Sequence, residues 1–133
     1  MEPKLPIQIK GTVIYGNQIG RRIGFPTANI IPDLDLTDYP YGVYVSKVYV
    51  GDRVYKGISN LGVKPTVQDD PRPNVETHIL GLDADLYGDI ISVELIAFTR
   101  PERKFSSIEE LKQQIAQDIE AAYSLDLQFT KRN

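Results

Sequence analysis

Cysteine is absent from all 133 residues, and with it go disulfides, thiolate catalysis and cysteine-ligated zinc. The absence agrees with a reducing compartment, so the expected setting is the cytoplasm. Histidine occurs once, as His78, which gives no imidazole cluster for a metal. No stretch approaches the roughly 18 apolar residues that a membrane helix needs. The opening Met1-Glu2-Pro3-Lys4-Leu5-Pro6 has no apolar core of signal-peptide length, and no membrane partner is expected. Excess positive charge is lacking as well. The formal net charge is -3 and the lysines and arginines form no stripe, so nothing draws a polyphosphate backbone and no nucleic-acid partner is expected. Internal repeats and low-complexity tracts are also missing.

What is present is the composition of an ordinary globular protein, 41% hydrophobic and 25% charged. A chain of this length fits a single domain over residues 1–133, burying roughly two-thirds of its unfolded surface. Period-two alternation dominates the first three quarters. Ile7 and Ile9 share one strand face, and the alternation runs on to Val13 and Tyr15 across Gly11, where the missing side chain predicts a bulge or tight bend. Gly42 to Val50 and Arg53 to Asn60 are rich in Val and Tyr and are joined by Gly51-Asp52, which predicts a hairpin. Val75 to Leu80 and Ile90 to Thr99 are two further strand-like runs, joined by a Gly- and Asp-rich turn, and five or six strands accumulate.

After Phe105 the period changes. Ile108, Leu111, Ile115, Ile119, Ala122 and Tyr123 recur at helical spacing, and Ser106 and Ser107 stand three residues before Glu109 and Glu110, two possible capping boxes. One helix cannot cover both faces of so many strands. The strands must close on themselves or stack, giving a small antiparallel barrel over about residues 5–100 with a helix over about 107–123 packed outside and a tail over 124–133.

Two segments carry candidate chemistry. Gly20 to Asn29 reads GRRIGFPTAN, a glycine loop without the Gly-Lys-Ser/Thr or the following helix of the common phosphate binders. Glycines at 16, 20 and 24 permit close approach to backbone N–H donors, Arg21 can bridge phosphate oxygens, and Thr27 and Asn29 supply hard oxygens suited to magnesium. A plain glycine-rich turn capped by Thr27 and Asn29 accounts for the same residues equally well. The second segment, Val75-Glu76-Thr77-His78, places a carboxylate and an imidazole on one strand face. Glu76 can take a hydroxyl proton, a service worth about 10² to 10⁴ in rate, although an isolated strand Glu is more often merely exposed. His78 reads as a structural hydrogen-bonder.

Taken in order, Gly20-Arg21-x-x-Gly24-Phe25-Pro26-Thr27-Ala28-Asn29, Gly42-Val43-Tyr44, Asn60-Leu61-Gly62-Val63-Lys64-Pro65-Thr66, Glu76-Thr77-His78-Ile79, Leu86-Tyr87-Gly88 and Arg100-Pro101-Glu102 resemble the riboflavin kinase family over nearly the whole chain. The resemblance implies a six-stranded antiparallel Greek-key barrel with a C-terminal helix outside. It also implies transfer of the ATP γ-phosphate to the 5′-hydroxyl of riboflavin, giving FMN and ADP, with Mg²⁺ as cofactor. Glu76 then matches the catalytic base and also borders the flavin, and Thr27 and Asn29 match the metal ligands. Gly16, Gly20, Arg21, Gly24, Pro26, Thr27, Asn60, Lys64 and Thr66 fall in the nucleotide site. Lys64 stands where many bacterial members carry arginine, which keeps the charge and loses the planar fork. Arg100 and Phe105 would border the flavin, Phe105 being equally readable as a core residue where strand meets helix.

Bacterial members usually join this domain to a half that adenylylates FMN. A chain of this length has no room for it, so FAD synthesis is not expected, and the sequence is that of a stand-alone kinase or of one domain of a bifunctional chain. Two other classes compete. An inactive flavin- or nucleotide-binding regulatory module on the same barrel is opposed by the intact Thr27, Asn29 and Glu76. A single-stranded nucleic-acid binder could stack bases on the eight Tyr and four Phe, and is opposed by the net charge.

Overall fold

The computed structural model describes residues 4–14, 24–63 and 73–125. Among the described residues, six strands, β1 (Ile7–Ile14), β2 (Ala28–Ile30), β3 (Gly42–Val50), β4 (Arg53–Val63), β5 (Pro73–Ile79) and β6 (Ile90–Pro101), precede one helix, α1 (Ile108–Ser124). The strands close into a barrel in the order β1-β2-β5-β4-β3-β6 with every neighbouring pair antiparallel. Strands β3 to β5 follow one another and β6 returns beside β3, which is the Greek-key arrangement.

The hairpin at Gly51-Asp52 forms as the sequence predicts, with Val50 opposite Arg53 and Gly51 at φ 61°. The predicted bulge at Gly11 does not form. The β1–β6 register is unbroken from Ile7↔Leu95 to Thr12↔Ile90. Gly11 is needed for close approach instead, because a Cβ there would lie 2.7 Å from the Ile31 carbonyl oxygen and 3.1 Å from the Ile30 Cβ. The register shifts fall on the β3–β6 ladder, between Val43 and Tyr44 and between Val45 and Ser46. The stretch flanked by Pro26 and Pro32 supplies β2, only three residues long. It is held as a strand by pairing on both sides rather than by its own propensity.

Alternation turns one face of each strand into the barrel, and β3 and β4 also feed a second core outside it. Ile9, Val13, Ile30, Tyr44, Val48, Leu61, Val75, Ile79, Ile91, Val93 and Leu95 fill the barrel interior with Ala28 and Leu36. Three hydroxyls join them, Ser46 to Ser59 at 2.8 Å and Ser59 to Thr77 at 2.7 Å, so their burial is compensated. The odd-numbered Val43 and Val45 point outward and pack with Ile58, Leu80 and Ala122 beneath α1, which is why most of β3 is buried on both faces.

The helix starts where the second capping box lies. The Glu110 backbone N–H donates to Ser107 Oγ at 3.1 Å, and the Glu110 carboxylate accepts from the Ser106 N–H at 2.9 Å. That backbone bond, helped by Arg103, holds the Glu110 carboxyl below the usual carboxylate range. At the far end α1 has no basic residue in its last turn. Lys56 of β4 supplies the charge, donating to the carbonyls of Ala122 (3.0 Å), Tyr123 (3.2 Å) and Leu125 (3.1 Å). Among the described residues, no helix is long and apolar enough to cross a membrane.

Candidate functional site

Glu76 lies on the half-exposed outer face of β5, with Val75 and Thr77 beside it turned into the barrel. Its register partners are Asn29 on β2 and Asn60 on β4. Three polar side chains therefore stand in one row across three adjacent strands, which is where cross-strand pairing brings side chains closest. One residue before β2, the exposed Thr27 leans diagonally, and its hydroxyl donates to Glu76 Oε2 at 2.7 Å. With that proton directed at the carboxylate, the lone pairs of Thr27 Oγ1 remain available to a second partner.

The flanking amides are polar atoms awaiting a partner. The Oδ1 atoms of Asn29 and Asn60 are both buried without a hydrogen bond, although Asn29 is only 4% exposed. A buried carbonyl oxygen left unpaired costs about 1–3 kcal/mol. Two of them beside one carboxylate are oxygens that a cation or a ligand donor could pair. The donors are hard oxygens with a single negative charge, and no group of three or more His, Cys, Asp or Glu that could hold a metal exists among the described residues. Such a set suits Mg²⁺ that takes most of its ligands from phosphates and water, rather than a cage made wholly of protein.

The approach to this row is set by Gly24 to Thr27. Gly24 adopts φ 96°, a conformation L side chains rarely reach, and a Cβ there would meet nothing within 4 Å, so the backbone angle alone calls for glycine. Pro26 offers no N–H to the sheet. Its carbonyl is taken by His78 Nδ1 at 2.8 Å, and the Phe25 ring meets the His78 ring edge-on at 5.6 Å. His78 is thus the structural hydrogen-bonder its sequence context predicts. Gly16, Gly20, Arg21, Lys64 and Thr66 lie outside the described residues.

Arg100 sits on the same row farther along, since Val43 pairs with Asn60 on one side and with Arg100 on the other. Its guanidinium is committed to α1. Nε donates to Asp118 Oδ1 at 3.0 Å and Nη2 to Asp118 Oδ2 at 2.8 Å, a bidentate pair, and Gln114 Nε2 adds a third bond to Asp118 at 3.1 Å. Phe105 belongs to neither core; it is half-buried, with the Arg103 guanidinium 4.9 Å from its ring centre. Arg103 in turn donates to Gln114 at 2.6 Å and pairs with Glu110 at 3.3 Å. These bonds strap the segment between β6 and α1 onto the helix.

Sequence reasoning missed Asn74. It falls just outside the strand-like run Val75 to Leu80, yet in β5 it is 1% exposed with both amide atoms unpartnered. The signal available was its spacing, two residues before Glu76 and so on the same strand face.

Comparison with known proteins agrees with this geometry. The family described as Flavokinase, riboflavin kinase, matches residues 3–125. The trifunctional protein RibF/MnmA of Mycoplasmoides gallisepticum is 49% identical over 119 residues, which cover 90% of this chain and 18% of that protein. The bifunctional riboflavin kinase/FMN adenylyltransferase of Bacillus subtilis is 40% identical over 119 residues, 88% of this chain and 38% of that one. This chain thus spans well under half the length of either relative. The crystal structure of riboflavin kinase from Trypanosoma brucei superposes with a TM-score of 0.66 at 24% identity, covering 90% of this chain and 78% of that chain, and so supports the barrel. With the family match spanning nearly the whole sequence and Asn29, Glu76 and Asn60 of the motifs in one row, this chain belongs to the riboflavin kinase family.

Proposed function

We propose that the chain transfers the γ-phosphoryl group of ATP to the 5′-hydroxyl of riboflavin, yielding FMN and ADP. The observation that carries this reading is the row Asn29–Glu76–Asn60 with Thr27 bonded to Glu76. It combines one carboxylate able to accept a proton with unpaired oxygens suited to a hard cation. In the proposed reaction the riboflavin oxygen bonds to the γ-phosphorus and the bond from that phosphorus to the bridging oxygen of ADP breaks. The hydroxyl proton passes to the Glu76 carboxylate. Such transfer needs little covalent chemistry from a protein, only positioning and charge stabilisation.

Thr27 and Asn29 would hold Mg²⁺, which when bound neutralises charge on the β- and γ-phosphate oxygens. Glu76 keeps its carboxylate oriented through Thr27, and Asn60 lines the other side. The single kinase domain over 1–133, the flavin contacts of Arg100 and Phe105, and a cytoplasmic setting belong to the same proposal. In Arg100 the helix-tethering bonds leave less of the guanidinium for flavin than the resemblance implies. An inactive binding module would have no need of the Thr27–Glu76 pair.

The test is FMN formation from riboflavin, ATP and magnesium by the purified chain and two variants. Glu76→Gln keeps an acceptor for Thr27 and removes the base, so turnover should fall about 10²- to 10⁴-fold while ATP binding is retained. Thr27→Ala should instead weaken magnesium-dependent ATP binding. Near-parental turnover in Glu76→Gln removes Glu76 from the mechanism, and parental magnesium-ATP affinity in Thr27→Ala removes the metal assignment.

A further inference from the structure

We infer that His78 is a positioning residue, holding Thr27 against Glu76 by anchoring the Pro26 carbonyl; the catalytic consequence rests on the kinase reading above, and the anchor itself does not. The argument begins with the end of the β2–β5 ladder. Pairing stops at Ala28↔Thr77, and the next two residues of the β2 side are Thr27 and Pro26. Proline has no N–H to continue the ladder, so the chain there is free to peel away unless a side chain holds it. His78 does so: its Nδ1 is 2.8 Å from the Pro26 carbonyl oxygen. A carbonyl only accepts, so Nδ1 carries the hydrogen. The Phe25 ring packs against the imidazole nearly perpendicular to it, at 83°.

The consequence falls on Thr27, whose own N–H belongs to the same peptide as the anchored carbonyl. Thr27 is exposed and no core packing fixes it. Its hydroxyl nevertheless reaches Glu76 at 2.7 Å. Two bonds from β5, one to the Pro26 carbonyl and one from the Thr27 hydroxyl, define where that oxygen sits. Glu76 and His78 are neighbours on one face of β5, so a single rigid strand carries both the reacting carboxylate and the anchor of the loop that meets it. A site that must hold a magnesium nucleotide beside a carboxylate gains from such a fixed oxygen.

Two substitutions separate the bond from the ring. In His78→Asn the amide nitrogen occupies the place of Nδ1 and can still donate to Pro26. In His78→Gln the nitrogen reaches the place of Nε2 and cannot. Magnesium-ATP binding by calorimetry should be within about twofold of the parent for Asn and about tenfold weaker for Gln, the worth of one hydrogen bond. Riboflavin affinity should be unchanged in both. In steady state the loss for Gln should appear as a raised KM for ATP with kcat changed by less than about threefold. Amide exchange over Ala28 to Ile30 should rise in Gln and not in Asn. Because His78 is the only histidine, long-range proton–nitrogen spectra of the parent also report one imidazole, expected as the Nδ1–H tautomer where the ring is neutral.

Equal magnesium-ATP affinity in Gln and parent, or equal losses in Gln and Asn, overturns the positioning role. An Nε2–H tautomer in the parent, or unchanged exchange in Gln, overturns the anchor itself, and the tautomer decides the matter even if His78→Gln does not fold. A parent that makes no FMN and binds no magnesium-ATP defeats the kinase reading instead, with exchange and tautomer still deciding the anchor.

Discussion

The bidentate pair between Arg100 and Asp118 admits a quantitative test of what Arg100 does. Asp118 is 7% exposed and the Arg100 side chain 20%, so the pair is largely withdrawn from water. Removing one partner of a buried pair costs about 3–5 kcal/mol, mostly because the other charge is stranded. The solvent access of Arg100 reduces this, and about 2–4 kcal/mol is expected for Asp118→Asn. Unfolding entropy of about 2.1 cal/mol/K per residue gives roughly 0.3 kcal/mol/K for this chain, so Tm should fall by about 7–13 °C. Arg100→Gln should cost a similar amount by stranding Asp118. If the two act as one unit, the double variant will be little worse than either single one, with a coupling above about 1 kcal/mol. Thermal melts by calorimetry and circular dichroism measure all three. A drop of under 3 °C for Asp118→Asn, or additive losses, refutes the tether. Riboflavin affinity read alongside separates the roles, since a flavin contact by Arg100 would make Arg100→Gln the more damaging to binding at equal stability.

Two further outcomes follow from groups away from the site. The Tyr44 phenol is fully buried and donates to the Pro40 carbonyl at 2.6 Å; burial first, and Tyr39 second, push its pKa from 10.0 up to about 12. A raised folded-state value gives stability that is complete below pH 10 and is lost as pH climbs through about 12. Tyr44→Phe should therefore show a shallower alkaline decline in denaturant midpoint over that window, and an unchanged slope would disprove it. Lys56→Gln removes the cation from three carbonyls at the end of α1. It should cost about 0.5–1.5 kcal/mol and speed amide exchange at Ala121 to Leu125, whereas unchanged exchange would show that apolar packing alone holds that end.

What could be read from the sequence was whatever depends on spacing along the chain. The Gly51-Asp52 hairpin, the face shared by Ile9 and Val13, and the start of α1 at Ser107 rest on local periodicity and capping, and each stands where the pattern puts it. The bulge expected at Gly11 failed for a different reason. A glycine in a strand serves either a register shift or a close approach, and which one applies depends on Ile31, a residue twenty positions away. Asn74 was missed because the apolar run begins at Val75, whereas β5 begins two residues earlier at Pro73, which gives no strand signal.

The site shows the same division. Motif resemblance named Thr27, Asn29, Asn60 and Glu76 separately, but their common row is a property of register. Asn29 and Asn60 are 31 residues apart in number and flank one carboxylate only because β5 lies between β2 and β4 in the closed barrel. The order that wraps β2 onto β5 also brings Pro26 within reach of His78. The segment Gly24 to Asn29 thereby shares its polar groups with strand neighbours. A barrel can serve phosphoryl transfer in this way because closure fixes register on every strand at once. A shift of β2 by one residue against β5 would turn Asn29 inward and bring Ala28 to the outer face, so the chemistry proposed here depends on the three-residue ladder of β2 as directly as on Glu76 itself.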